Sequence, residues 1–365
     1  MLTIARGTCH VIFIYDIAFA IDLNEAERRI SSATRETLKH KRRAPQYFEY
    51  SPAPLRIAQA AERVGIDETF ATDPQVELVV YDFGAVTVIY RIDLSRDGSR
   101  LLNLSEELYE NKQLLADSRH RVQDVLKVIE PALTKANISS FVEDYVIFQV
   151  EAFTEPIAIE DLTTHHAAQI AQILRAESRE LSADEITDAT SNRISFGRDD
   201  VVIVDWNAAL VVDTEAEDVL TVLEFANVEL LEMRFLDQRL DDALDLAYDR
   251  LSKRSQKWYQ FRSHPSDLRD ISQWQVDSAI LFEGVNNVLK LLGDQYLARL
   301  YRLVAQRFHL ADWDVSILRK LETLEGIYQK ISDQMVSRRM EVLEWIIIFL
   351  IAISIILPLL SQNVH

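Results

Sequence analysis

The sequence predicts an α+β fold: a mixed α/β domain, then a bundle of long helices or a coiled-coil hairpin ending in a C-terminal transmembrane helix. Three observations carry this. Short β-branched and aromatic runs alternate with helical patterns up to about Asp213. Glycine and proline then become sparse, and helical periodicity dominates. The chain closes on an uncharged apolar stretch, Trp345 to Leu360. The expected division is 1–213 for the α/β domain, 214–341 for the long helices and 342–360 for the anchor.

In the first segment, His10 to Leu23 is rich in β-branched and aromatic residues and reads as a strand. Asp22 or Asn24 can cap a helix over Glu25 to Ile30. Arg35 to Arg43 is a basic stretch followed by Pro45, Tyr47, Phe48 and Tyr50, and reads as a surface loop. Its local charge also admits binding to anionic lipid or RNA. Leu55 to Ala58 is strand-like, and Val76 to Ile92 holds two β runs around Asp82-Phe83-Gly84. Helical patterns begin at Ser105 and continue over Val122 to Leu133, before another strand at Val142 to Phe153. Helices follow at Leu162–Arg175 and Ala183–Ala189. Val201–Trp206 and Ala208–Val212 form a hairpin pattern with Asp205-Trp206-Asn207 near its turn. Mixed order of this kind is that of an α+β or α/β domain.

Beyond Glu215, three long helices are expected: Glu215–Gln260, Ser272–Phe308 and Asp314 into the apolar end. Ile317, Leu321, Leu324, Tyr328, Ile331 and Met335 alternate spacings of four and three, a heptad seam. The seam can close an antiparallel hairpin within the chain, join copies into a homo-oligomer, or do both. Ten acidic residues between Asp213 and Asp249, among them Glu224, Glu229 and Glu232, read as a solvated helix face or a docking surface for a basic partner.

The apolar end comprises Trp345, Ile346, Ile347, Ile348, Phe349, Leu350, Ile351, Ile353, Ile355, Ile356 and Leu357. A spanning helix needs about 20 apolar residues, so this stretch is short but reads as a tail anchor inserted in the lipid bilayer. Arg338 and Arg339 precede it and no Lys or Arg follows, which places the bulk of the chain in the cytoplasm, most simply at a bacterial inner membrane. The other reading is a helix buried in an oligomer.

Composition narrows the function. There are 39 Lys and Arg against 58 Asp and Glu, a formal charge of -19, which argues against direct nucleic-acid binding. Cys9 is the single cysteine, so no intrachain disulfide forms. No Gly-rich phosphate loop is present. The neighbours His165 and His166 do not share a helical face, and His264 has no nucleophile motif beside it. Asp241, Asp242 and Asp245 read as solvated. Trp258, Tyr259 and Phe261, interleaved with Lys253, Arg254, Lys257 and Arg262, read as a helix junction rather than a base-stacking patch. Neither a catalytic constellation nor a cofactor or metal site is expected.

Two stretches resemble the required-for-meiotic-nuclear-division (YagE-like) family, a domain of unknown function. Asp82, Phe83, Gly84 and Val86 lie in Val80–Val88, similar to its aromatic-glycine-valine strand. Leu343 to Ile353 is similar to its C-terminal signature, although Ser354 stands where the family often carries an acid. The resemblance implies a membrane-associated homo-oligomer without an established enzymatic activity, with a ribosome-associated role by analogy. The expectation is a tail-anchored scaffold recruiting a protein or ribosomal partner. The alternative is a membrane-tethered enzyme with a pocket in the α/β domain.

Overall fold

A computed structural model describes residues 2–30, 33–35, 52–97, 99–256 and 295–362. The basic loop at Lys39–Arg43, the Trp258–Arg262 patch and His264 lie outside the described residues. The chain divides into two units, Met1–Phe235 with Leu281–Asp314, and Leu236–Ile280 with Val315–His365.

The elements run in the order β1 (Ile4–Asp16), β2 (Ala20–Ile21), α1 (Leu23–Arg29), β3 (Ala33–Arg35), β4 (Leu55–Ala60), β5 (Thr72–Val80) and β6 (Ala85–Asp93). Next come α2 (Leu101–Leu108), α3 (Lys112–Ile129), β7 (Leu133–Thr134), β8 (Val142–Phe153), α4 (Ile159–Leu162), α5 (Ala167–Arg175) and α6 (Ala183–Ser191). The chain continues with β9 (Arg193–Ile194), β10 (Val201–Val204), β11 (Ala208–Val212), α7 (Glu217–Gln256), α8 (Gln295–Arg307) and α9 (Leu310–Gln362).

In the first unit a nine-stranded sheet has the order β3-β4-β5-β6-β1-β8-β11-β10-β9. Its pairs are antiparallel except β8 with β11, which run parallel. A parallel pair needs a crossover, and α4, α5, α6 and the β9–β10 edge supply it. The central strands are apolar on both faces because each face carries its own core. Along β1, Cys9, Val11, Phe13 and Tyr15 enter one core, while Ile12 and Ile14 enter the other. The same period of two sends Val146, Phe148 and Val150 of β8 to the first and Tyr145 and Ile147 to the second. Leu104, Leu114, Val122, Ile170 and Leu174, from α2, α3 and α5, cover the first face. Val219, Leu223, Ala226 and Leu231 of α7, with Leu297, Leu300 and Val304 of α8, cover the second. The first unit is therefore layered helix, sheet, helix, as expected for strands that read as near-continuous apolar runs.

Local chemistry sets the boundaries. Asp22 caps α1, its carboxylate accepting the N–H groups of Asn24 and Glu25 at 3.0 and 3.2 Å. The strand expected over His10–Leu23 leaves the sheet at Asp16, because Ile17 N–H turns to the Gly84 carbonyl and Ile21 N–H to that of Asp82. Gly84 adopts φ +109°, and a Cβ there would lie 1.8 Å from the Ala18 carbonyl oxygen. Only glycine fits that turn without strain.

In the second unit, Leu236, Leu240, Ala243 and Ala247 of α7 are buried, as are Ile317, Leu324 and Ile327 of α9. Lys320 Nζ lies 2.7 Å from Asp237 and 2.6 Å from Asp241, and the Ser316 hydroxyl donates to Asp237 at 3.1 Å. These contacts pair the two helices within the chain. Leu321 and Tyr328 are half-buried in the same seam, and the side chains of Ile331 and Met335 lie outside the described ones.

The expected transmembrane helix is corrected. Among the described residues no helix is long and apolar enough to cross a membrane. The uncharged run Trp345–Leu360 of α9 extends roughly 24 Å as a helix, against a hydrocarbon core of about 30 Å. The side chains of Ile355, Ile356 and Leu357 lie outside the described ones. The tail anchor, the lipid bilayer as partner and the single-pass placement facing the cytoplasm thus lose the span on which they rested.

Candidate functional site

Three groups of buried charged side chains stand out in the first unit. At the β10–β11 turn, Asp205 is completely buried. Arg175 at the end of α5 donates its Nε–H to Asp205 at 2.9 Å and an Nη2–H to Asp188 of α6 at 2.6 Å. Arg307 at the end of α8 donates its Nε–H to Asp205 at 2.9 Å and its Nη2–H to Asp188 at 2.7 Å. Glu185 of α6 completes the group through Arg175. Asp205 also accepts the Trp206 N–H at 2.8 Å, and its own carbonyl accepts the Tyr145 hydroxyl at 2.9 Å. Two guanidiniums and three carboxylates thus satisfy one another, tying α5, α6, α8 and the β10–β11 turn together. With its donors and acceptors spent on each other, the cluster acts as a structural clamp.

A second group sits where α7 crosses β4–β6. Glu224 accepts the Tyr81 hydroxyl at 2.9 Å and pairs with Arg56 Nη2 at 3.3 Å. Arg56 also holds Glu77 at 2.7 Å, and Arg91 holds the other oxygen of Glu77 at 2.7 Å. Burial pushes the Glu224 carboxyl above the usual range, with Arg56 opposing the shift.

The third group lies between α7, α8 and the start of α9. Tyr301 donates its hydroxyl to Glu229 at 2.5 Å. Burial raises the Glu229 carboxyl to about 7, moderated by the Tyr301 hydrogen bond and reinforced by the negative charge of Asp314. Burial also raises Asp314, and its Oδ1 is enclosed without a hydrogen-bond partner. The solvated acidic face expected on this helix is therefore corrected at three positions: Glu224, Glu229 and Glu232 are buried. Helical spacing located them on one element, but the partners Arg56, Tyr81 and Tyr301 are far away in sequence.

None of these groups has the make-up of a metal centre, and no cluster of metal-ligating side chains occurs among the described residues. Cys9 is buried, and desolvation raises its thiol far above the ordinary value, which leaves it inert. His165 is exposed and pairs with Asp161 at 3.1 Å. Asp82, Phe83 and Gly84 form the turn between β5 and β6, and Val86 is buried in β6. They serve the backbone turn and the core.

The last candidate surface belongs to the second unit. Met340, Leu343 and every residue from Trp345 to Leu350 are exposed, all around the helix. The unbroken apolarity of this stretch is what the expectation of a bilayer span rested on.

The family described as the N-terminal domain of the uncharacterized protein MJ0711 matches residues 6–218. The uncharacterized protein MJ0711 of Methanocaldococcus jannaschii is 22% identical over 287 residues, which covers 78% of this chain and 82% of that protein. No solved structure matches. These matches overturn the resemblance to the required-for-meiotic-nuclear-division family. Its two carrier motifs are a glycine-dependent hairpin turn and an apolar helix, patterns that backbone geometry and hydrophobicity produce in unrelated chains.

Proposed function

This chain belongs to the family of the MJ0711 N-terminal domain, whose description names no activity, and from that premise we propose that it is a self-assembling scaffold that recruits a protein partner, its copies joined through the apolar part of α9. The observation that carries the reading is the exposure of that helix. Nine side chains (Met340, Leu343, Trp345 to Leu350, and Ile353) are between 38% and 71% exposed. Together they present on the order of 900 Å² of apolar surface, against about 800 Å² per partner in a standard stable interface. Patches of this size on a lone chain call for a cover. A second copy is the occupant that fits best. The apolar residues surround the helix rather than lining one stripe, so a single groove cannot cover them, whereas identical helices packed around a shared axis can.

Light scattering on the full chain tests the proposal. The wild-type chain is expected at a multiple of its monomer mass, and the variant carrying Ile347→Glu and Leu350→Glu at the monomer mass. Both substitutions fall on exposed positions, so the fold is preserved and can be checked by circular dichroism. A variant that keeps the wild-type mass, or a wild-type chain that is already monomeric, overturns the reading.

A further inference from the structure

Glu229 is 2% exposed, and the charge acting on it from the described residues is that of another acid, Asp314. The ionisable groups on the elements around it are few. On α8 these are Tyr296 and Tyr301; Arg299 is exposed to solvent, Arg302 is turned to its own helix, where Nε–H bonds the Ala298 carbonyl, and Arg307 is held in the Asp205 clamp. At the start of α9 there is Asp314, with Asp312 and His309 exposed and paired with each other, and one turn along α7 there is Glu232. On the sheet side, Glu143 of β8 is occupied by Arg234. The single proton of the Tyr301 hydroxyl thus serves Glu229 alone, and Asp314 keeps an enclosed oxygen with no donor. No cation acts on Glu229 among the described residues, an arrangement that accommodates one negative charge far better than two.

We propose that Glu229, Tyr301 and Asp314 form a proton-dependent latch, which holds α8 and the first turns of α9 against α7 while one carboxyl is protonated and loosens them when both are charged. The latch is independent of how copies assemble, since all three groups lie in the first unit. A proton held at neutral pH makes the contact respond between mildly acidic and mildly alkaline conditions.

Hydrogen exchange of the α8 amides, 295–307, reads the latch directly. With Glu229 titrating near 7 in the closed state and near 4.3 when opened to water, the opening constant rises about tenfold from pH 6 to pH 8, after correction for intrinsic exchange. Glu229→Gln keeps an acceptor for Tyr301 and is expected to make the corrected rates equal at the two pH values, and Asp314→Asn to diminish the difference. A wild-type α8 that shows no pH dependence overturns the latch, as does a tenfold change that survives in the Glu229→Gln variant. If that variant does not fold, the carboxyl carbon shift of Glu229 in the unaltered chain decides: a midpoint near 7 supports the latch, and one near 4.5 overturns it.

Discussion

Replacing Asp205 by Ala removes the carboxylate on which two arginines converge and leaves the rest of the clamp in place. Asp205 is wholly buried, and the side chains of Arg175 and Arg307 are 11% and 14% exposed. Removing one partner of a buried pair costs about 3–5 kcal/mol, mostly because the opposite charge stays behind unpaired. Here Asp188 and Glu185 remain to neutralise both guanidiniums, so the expected loss is at the lower end, about 3 kcal/mol. At roughly 2–4 °C per kcal/mol for a unit of this size, the melting temperature should fall by about 6–12 °C. The Tyr145 hydroxyl bonds to the backbone carbonyl of residue 205 and survives the substitution, so the loss reports the carboxylate alone. Thermal and urea unfolding followed by circular dichroism measure it. Asp205→Asn, which keeps an acceptor for the Trp206 N–H, should lose less. A change below about 0.5 kcal/mol, the scale of an ordinary surface substitution, would refute the assignment of Asp205 as the clamp's anchor.

Two further outcomes follow from local geometry. Gly84→Ala puts a Cβ against the Ala18 carbonyl in a backbone conformation with φ +109°, and should cost more than about 2 kcal/mol, visible as a lower urea midpoint; an unchanged midpoint contradicts the turn geometry. Burial lowers the His10 pKa from 6.5 to about 4, with its Gln149 hydrogen bond opposing the shift. A base whose folded pKa is depressed contributes stability above its unfolded pKa and loses it as pH falls through the folded one. His10→Gln should therefore flatten the acid arm of the stability profile between pH 6.5 and 4, whereas an arm identical to that of the unaltered chain would locate the acid sensitivity elsewhere.

The strands were legible because their cause is local. In β1, β8, β10 and β11 both faces are buried, so the apolar runs are continuous and β-branched, and the turn at Asp205–Asn207 interrupts them visibly. Strand order was not legible, since the pairing of β1 with β8 joins residues more than 100 positions apart. The buried charges were hidden for the same reason. Glu224 and Glu229 look like solvated acids until Arg56, Tyr81 and Tyr301 arrive from elsewhere in the chain. The heptad seam at Ile317, Leu321 and Leu324 was readable as a packing stripe, while its partner, the buried face of α7 from Leu236 to Ala247, showed only in three dimensions. The apolar end misled because apolarity names what a helix avoids, which is water, and leaves the cover unspecified.

Sedimentation velocity of the full chain over a hundredfold dilution in aqueous buffer tests self-assembly most directly. Self-assembly requires a dominant species at an integral multiple of 42.0 kDa, shifting toward the monomer on dilution. A single species at 42.0 kDa at every concentration contradicts it.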